Sequence, residues 1–246
     1  MRKKDIENQE HRYLNRSLWA NLQSLKSTVS FMQTGAHPDD ETSRLLAKLS
    51  LDEGYYVSYV NAVRGQGGQN SIGPERDDNL GALRTYELLK AMSVLRVDIG
   101  WLANSRNNSI IDFGLSKSAE ETFEFWDKNY TIQRMIRIVR AYKPDIIIPT
   151  FLDVEGQHGH HRAVTKATIE AFDNSNDPEI FPDDDFGPWK ISQIFLPAWS
   201  GGGGSYDDEE DPPKATHFIQ VGNYNHIFGG TYNQIGEWSR SYHATQ

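Results

Sequence analysis

Short apolar runs alternate with amphipathic stretches along this chain, and the alternation restricts the fold more than any other feature. Consecutive isoleucines at 146–148 indicate a strand covered on both faces, as in a parallel sheet. Runs rich in β-branched or aromatic residues occur at "VSFMQT" (29–34), "VSYVNAV" (57–63) and "DIIIPTF" (145–151). Later strands are expected at "QIFLPAW" (193–199) and "THFIQV" (216–221).

Apolar residues with helical spacing lie between these runs, where side chains three or four positions apart share a face. The stripes are Leu45, Leu46 and Leu49; Leu88, Met92 and Leu95; Ile132, Met135, Ile136, Val139 and Tyr142; and Ala163, Val164, Ala167 and Ala171. Strands alternating with helices predict a Rossmann-like α/β fold, with a mostly parallel sheet flanked by helices. We expect one domain over 1–246, with the glycine-rich acidic stretch 200–213 as a surface loop.

Charge and hydropathy exclude several partners. The net charge of -9 would repel phosphate backbones, and the only basic cluster is "MRKK" at the start. We therefore expect no nucleic-acid partner. The chain has no apolar run long enough for a signal peptide or a membrane span, which favours a cytoplasmic protein. A homo-oligomer is left open.

The stretch "GAHPDDET" (35–42) crowds one histidine and three carboxylates directly after the first strand. His37 and Asp40 are three positions apart at a strand-to-helix junction stiffened by Pro38, so both side chains can converge on one point. The chain has no cysteine, so any metal must be held by nitrogen and oxygen ligands. The alternative is a cap for the following helix, with Asp39 or Asp40 at its start.

A second polar cluster, "GQHGHHRAV", follows the "DIIIPTF" run and contains His158, His160 and His161, three of the eight histidines. Ligands of parallel sheets bind at the carboxyl ends of the strands, where both clusters are expected. A catalytic zinc site usually has three protein ligands and leaves a fourth position for water. A histidine of this cluster could therefore complete the site of His37 and Asp40.

The combination resembles the LmbE or PIG-L family of zinc-dependent N-deacetylases. The resemblance rests on "AHPDDE", a glycine-rich turn "RGQGGQN", "LGALRTYELLKA" and a later "HxxH", and extends from about Val29 to Ala171; the closing "HATQ" is also similar. It implies a Zn²⁺ cofactor with His37, Asp40 and His161 as metal ligands. It also implies two catalytic residues: Asp39 as general base, and His158 as the group that polarises the substrate carbonyl.

One position departs from the family pattern. Where many relatives have an aspartate in "HPDH", this chain has His160 in "HGHH". That aspartate is expected to hold the polarising histidine and to raise its pKa, which an imidazole does less well. Three alternatives follow: Asp153 or Glu155 substitutes, His158 works at a lower pKa, or His160 itself contacts the substrate.

Further substrate-binding residues are expected at the glycine-rich turn "RGQGGQN" and beside the later glycine-rich loop. The region of the turn borders the pocket in the family, so Arg64 and Asn70 are expected to contact the acyl or sugar part of a substrate. Trp199, next to the glycine-rich loop, is a candidate platform for stacking a sugar ring. Arg84 and Glu87 also match a family pattern, but their i, i+3 spacing favours a structural ion pair.

The expected function is a zinc-dependent hydrolase that removes an N-acetyl group from an N-acetylglucosamine-type sugar or its conjugate. The reaction class follows from the metal site and the resemblance, and the substrate from the resemblance alone. The alternative is a catalytically weak or inactive carbohydrate-binding module on the same fold; Asp39 argues against it, and His160 weakly for it. A phosphoesterase is disfavoured because one metal in an acidic protein supplies little positive charge for phosphate.

Overall fold

A computed structural model describes residues 18–19, 21–104, 108–182, 185–198 and 214–246 of the chain. The predicted loop 200–213 and Trp199 lie outside these residues. Among the described helices, none combines the length and apolar character needed to cross a lipid bilayer.

The centre of the molecule is a five-stranded parallel sheet with the strand order β3-β2-β1-β4-β5. Its strands are β1 (Ser30–Gly35), β2 (Tyr56–Asn61), β3 (Asp98–Trp101), β4 (Ile146–Pro149) and β5 (Gln193–Ile194). A separate antiparallel pair consists of β6 (Tyr224–Asn225) and β7 (Gly230–Thr231). The α/β prediction is thus confirmed.

Six α-helices with defined bounds follow β1 within the described residues. They are α1 (Ser43–Leu51), α2 (Asp77–Leu95), α3 (Ala119–Trp126), α4 (Lys128–Tyr142), α5 (Gly159–Asn174) and α6 (Tyr232–Arg240). A short 3-10 helix, Ser24–Lys26, precedes β1. The four apolar stripes predicted from the sequence lie, in chain order, in α1, α2, α4 and α5.

The two faces of the sheet carry separate apolar cores. Successive side chains of β1 point to opposite faces, so Phe31 packs with α1, α2 and α6, whereas Met32 packs with α4 and α5. Ile147 of β4 is completely buried in the second core. Burial on both faces explains why the central strands have continuous apolar sequences.

Two strand predictions have different outcomes. The "QIFLPAW" segment contains the short edge strand β5, which pairs with β4. The "THFIQV" prediction was wrong: residues 216–221 form no strand, and Phe218 is 87% exposed. Its β-propensity has no neighbouring strand to pair with, and propensity alone does not make a strand.

The direction in which strands are added to the sheet changes between β1 and β4. From β1 the chain proceeds outward to β2 and β3, then returns to β4 on the other side of β1. Loops leaving neighbouring strands on either side of such a point diverge and leave a crevice at their carboxyl ends. The two predicted clusters follow β1 and β4, so both lie at this crevice.

Candidate metal and catalytic site

Three predicted ligands converge at the crevice. Nδ1 of His37 lies 3.2 Å from Nε2 of His161, which is 124 positions away in sequence. Asp40 lies against both, with Oδ2 at 3.6 Å from Nδ1 of His37 and Oδ1 at 3.4 Å from Nε2 of His161. The carboxyl ends of adjacent strands bring the three donors together.

These separations fit a small tetrahedral cation. Zinc bonds nitrogen and oxygen at about 2.0–2.1 Å, so its ligand atoms stand roughly 3.3 Å apart, which the His37–His161 and the Asp40 Oδ1–His161 separations match. The set of three ligand-type atoms within 4.8 Å of one another that contains His37 and His161 has His158 as its third member. The donor set, two imidazoles and one carboxylate, is also one that zinc accepts in catalytic sites. The residues present therefore fit the metal that the resemblance implies.

Neighbouring groups fix the orientation of two of these donors. Asp40 Oδ2 accepts hydrogen bonds of 2.8 Å from the backbone N–H groups of Ala36 and His37, which turns Oδ1 toward His161. His161 Nδ1 donates to Oε1 of Gln157 at 3.1 Å, which leaves Nε2 as the ligand atom. Such outer contacts set the tautomer and aim of a metal ligand.

His160 is a buried neighbour of His37 on the side away from Asp40 and His161. It is completely buried, stacked on Trp126 with ring centroids 4.9 Å apart. Its Nδ1 lies 3.1 Å from Nε2 of His37, the nitrogen that faces away from Asp40 and His161. Because no surface of His160 is exposed, the structure does not support its predicted contact with substrate.

Asp112 is a neighbour of this cluster that the sequence did not identify. Its Oδ1 lies 3.9 Å from Nδ1 of His160, and the carboxylate also accepts from the backbone N–H of Gly114. His37, Asp112 and His160 have ligand-type atoms within 4.8 Å of one another. The residue follows β3 in a loop without periodic sequence, so no pattern pointed to it.

His158 lies at the same crevice. One of its ligand-type nitrogens is within 4.8 Å of those of His37 and His161. Its Nε2 donates to the carbonyl of Gly114 at 3.0 Å, which occupies the position expected for a carboxylate partner. Burial and the charges of His37 and His161 lower the pKa of His158 to about 4. Of the three alternatives above, the lower pKa therefore has support.

Asp153, another proposed substitute, is engaged elsewhere. Its carboxylate binds Nε of Arg162 at 2.6 Å and Nζ of Lys166 at 3.4 Å. Glu155 is exposed. The structure thus shows neither carboxylate holding His158.

Asp39, the predicted base, has an unusual backbone conformation and a raised pKa. Asp39 has a φ of 146°, a conformation that L-residues rarely adopt. Burial and the charge of Asp40 raise the pKa of Asp39 to about 7. The pKa of Asp40 itself is held well below its usual range: burial alone would raise it, but the charge and hydrogen bond of His161 outweigh that effect.

Glycine at position 159 allows the histidine cluster to reach the crevice. A Cβ there would lie 1.9 Å from Oγ of Ser116 and 2.4 Å from the carbonyl of Ser118. The backbone N–H of Gly159 also donates to the carbonyl of Ser116 at 2.7 Å. The first turn of α5, which carries His160 and His161, therefore packs directly on the loop before α3.

The predicted substrate-binding residues of the second loop have other partners. Asn70 uses its side chain within its own turn, accepting from the backbone N–H groups of Ile72 and Gly73 and donating to Glu75. Arg64 stacks on Trp101 at 4.0 Å and lines a groove of about 530 Å³. The residues that line this groove include none of the crevice histidines or aspartates, and Asn70 shapes its own loop.

The predicted ion pair of Arg84 with Glu87 was wrong. Arg84 donates to the carbonyl of Gln69 beneath the glycine-rich turn. Glu87 instead accepts from the backbone N–H and the hydroxyl of Thr245, at 3.1 and 2.6 Å. Both residues connect the helix α2 to distant loops, which their spacing on the helix could not indicate.

Comparison with known proteins agrees with this geometry. The model of the family "PIG-L: GlcNAc-PI de-N-acetylase" matches residues 32–172, which include both histidine clusters. A 1D-myo-inositol 2-acetamido-2-deoxy-alpha-D-glucopyranoside deacetylase of Frankia casuarinae is 30% identical over 183 residues, covering 67% of this chain and 57% of that protein. A mycothiol S-conjugate amidase of Streptomyces coelicolor is 27% identical over 175 residues, covering 65% of this chain and 57% of that protein.

Solved structures share the fold. The N,N'-diacetylchitobiose deacetylase from Pyrococcus horikoshii superposes with a TM-score of 0.57 at 19% identity, covering 97% of this chain and 79% of that one. The chain spans less than two thirds of the length of the curated relatives described above. The family model nevertheless matches more than half of the chain and includes the crevice residues from both strands, so the chain belongs to the PIG-L (GlcNAc-PI de-N-acetylase) family.

Proposed function

We propose that this chain is a metal-dependent N-deacetylase that hydrolyses the acetamide of an N-acetylglucosamine-type sugar or its conjugate. The observation that carries the proposal is the convergence of His37, Asp40 and His161 at ligand distances, beside the carboxylate of Asp39. By their names, the Frankia relative deacetylates a 2-acetamido-2-deoxy-glucopyranoside and the Pyrococcus protein deacetylates N,N'-diacetylchitobiose, which supports the substrate class.

In this proposal each residue has a separate task. His37, Asp40 and His161 would hold a zinc ion, which would supply Lewis acidity and a lowered pKa of its water near neutral pH. Asp39 takes the proton of the attacking water and delivers it to the leaving amine. His158 faces the oxyanion that develops on the substrate. Negative charge there raises the pKa of a neighbouring imidazole, so His158 can become charged as the barrier is crossed.

The test is acetate release from a panel of N-acetylated sugars and glycoconjugates, with and without a chelator. We expect about one zinc per chain, acetate from at least one substrate, and loss of activity on chelation. His37→Ala should lose most of the zinc because one of three ligands is removed. His226→Ala is the matched control, since His226 is exposed and outside the cluster.

The same panel distinguishes the binding-module alternative. A module would bind an N-acetylated sugar, measured by calorimetry, without releasing acetate at any metal concentration. Full activity of metal-free protein would exclude the zinc mechanism.

A further inference from the structure

The backbone at Asp39 is strained and needs support. A non-glycine residue with a φ of 146° costs about 1–3 kcal/mol and persists only where the surroundings enforce it. The carboxylate of Asp40 holds the chain before this residue, through the N–H groups of Ala36 and His37. A turn hydrogen bond of 3.2 Å from the N–H of Asp40 to the carbonyl of His37 spans Asp39, and further contacts with the peptide groups on either side of it come from another part of the sequence.

Residues 240–246, which we call the C-terminal brace, supply these contacts. Nη1 of Arg240 donates to the carbonyl of Asp39 at 3.0 Å. Nε2 of Gln246 donates to the carbonyl of Pro38. His243 and Glu41, both buried, are joined between Nε2 and Oε1 at 2.9 Å. Three side chains spaced three residues apart thus bind three positions of the "HPDDE" loop, Pro38, Asp39 and Glu41.

The brace is itself anchored to the core. Gly236 of α6 lets the helix touch the first turn of α1, because a Cβ there would lie 2.6 Å from the backbone nitrogen of Arg44. Ser239 donates to the carbonyl of Ala91 at 2.8 Å, and Thr245 is held by Glu87. The position of the brace is therefore set by α1 and α2.

The brace acts on the peptide groups around Asp39 and not on the metal donors. Arg240 and Gln246 bind the two carbonyls on either side of the Asp39 nitrogen and α-carbon. The donor atoms of Asp40 and His161 are oriented by Ala36, His37 and Gln157 instead. Loss of the brace should consequently move Asp39 while the ligands keep their geometry.

We propose that Arg240, His243 and Gln246 are positioning residues that hold Asp39 in its strained conformation and so direct its carboxylate to the reacting centre. The inference rests on the proposed deacetylase function for its kinetic consequence. The alternative is that the brace only adds stability, in which case its loss would lower the free energy of unfolding without a specific effect on turnover.

The test is the double variant Arg240→Met with Gln246→Ala, compared with Arg240→Lys. Methionine keeps much of the aliphatic length of arginine but cannot donate, whereas lysine keeps a donor. Arg137→Met is the matched control, because Arg137 is a partly exposed arginine whose contacts, Asp185 at 2.9 Å and the ring of Phe186, are not part of the crevice. For each protein one measures zinc content, urea unfolding, and kcat and KM on the best substrate of the panel.

We expect kcat of the double variant to fall about tenfold or more, since small misplacements of a catalytic group have effects of this size. KM and zinc content should stay unchanged, and Arg240→Lys should retain most of kcat. An unchanged kcat, or a loss that only follows a loss of zinc or of folded protein, would refute the positioning role.

A crystal structure of the double variant supplies a readout that does not depend on activity. If Asp39 relaxes to negative φ, the brace positions it, even should the wild type release no acetate; only the proposed function would then fail. If Asp39 keeps a φ near 146°, the positioning inference is wrong whatever the kinetics.

Discussion

At the scale of single residues, neighbouring groups determine which side-chain atom of His161 and of Asp40 faces the other predicted ligands. Gln157 occupies one nitrogen of His161, and backbone N–H groups occupy one oxygen of Asp40. That His37 and Asp40 would lie near a histidine of the second cluster was predictable because both clusters follow apolar strands, whereas the choice of His161 as the third ligand rests on the family resemblance. Asp112 and Gly114 were not predictable, because their contacts depend on the path of a loop.

Asn at position 39 tests the base without disturbing its backbone. Asparagine tolerates positive φ better than most residues and matches aspartate in shape, so Asp39→Asn should keep fold and zinc. We expect turnover to fall at least about a hundredfold, since an amide accepts no proton. The measurement is kcat for acetate release together with zinc content. Asp185→Asn, at an exposed position, is the control. Undiminished turnover in Asp39→Asn would remove the residue from the mechanism.

The close contact at Gly159 predicts a stability loss. In Gly159→Ala the new methyl group meets Ser116 and Ser118, so we expect the free energy of unfolding to decrease by about 1–3 kcal/mol. Gly222→Ala is the control: its Cβ approaches only Oε1 of the Gln220 side chain, at 3.1 Å. Urea titration measures both. Equal stability of the two variants would contradict the packing argument.

At the scale of elements, the sequence predicted those strands and helices that are continuously apolar or strongly periodic. β1, β2 and β4 were found because they are buried on both faces. The four-residue β3 was missed since "DIGW" is too short to show a period. The closing "HATQ" was noted only as part of the family resemblance, and no role followed from it: the brace residues are polar, and only their contacts with the "HPDDE" loop give them one.

Arg140 of α4 joins this helix to the segment that follows α5. Its guanidinium is buried and donates to the carbonyls of residues 175, 177, 180 and 181, at 2.7–3.0 Å. Arg140→Ala should destabilise the protein by about 3 kcal/mol, because these carbonyls lose a charged donor. Arg137→Ala, one turn away and exposed, should change stability by less than about 1 kcal/mol. Urea unfolding separates the two variants, and a similar small effect of both would contradict this role.

At the scale of the whole molecule, the proposed metal site would link the two halves of the central sheet. His37 and Asp40 follow β1, and His161 lies in the first turn of α5 after β4. The site should therefore act as a crosslink that exists only in the folded state. The fold class was predictable at this scale because alternating elements admit few arrangements, whereas the position of the polar C-terminal residues was not.

Zinc should stabilise the folded protein measurably. A ligand present at about a hundred times its Kd, and bound only by the folded state, adds about 2.7 kcal/mol. We expect a lower melting temperature after chelation and recovery on zinc addition. In His161→Ala this difference should largely disappear, whereas His226→Ala should retain it. A wild-type melting temperature that does not respond to chelator would exclude the crosslink.

The separation of the crevice residues along the chain also has a consequence during synthesis. A ribosome makes His37 and Asp40 long before His161, and the residues that grip Asp39 appear later still, at positions 240–246. A nascent chain that carries only the first strands contains His37 and Asp40 but lacks His161 and the C-terminal brace that contacts Asp39. If the brace positions Asp39 as inferred, the crevice would be fully assembled only after residues 240–246 have been synthesised.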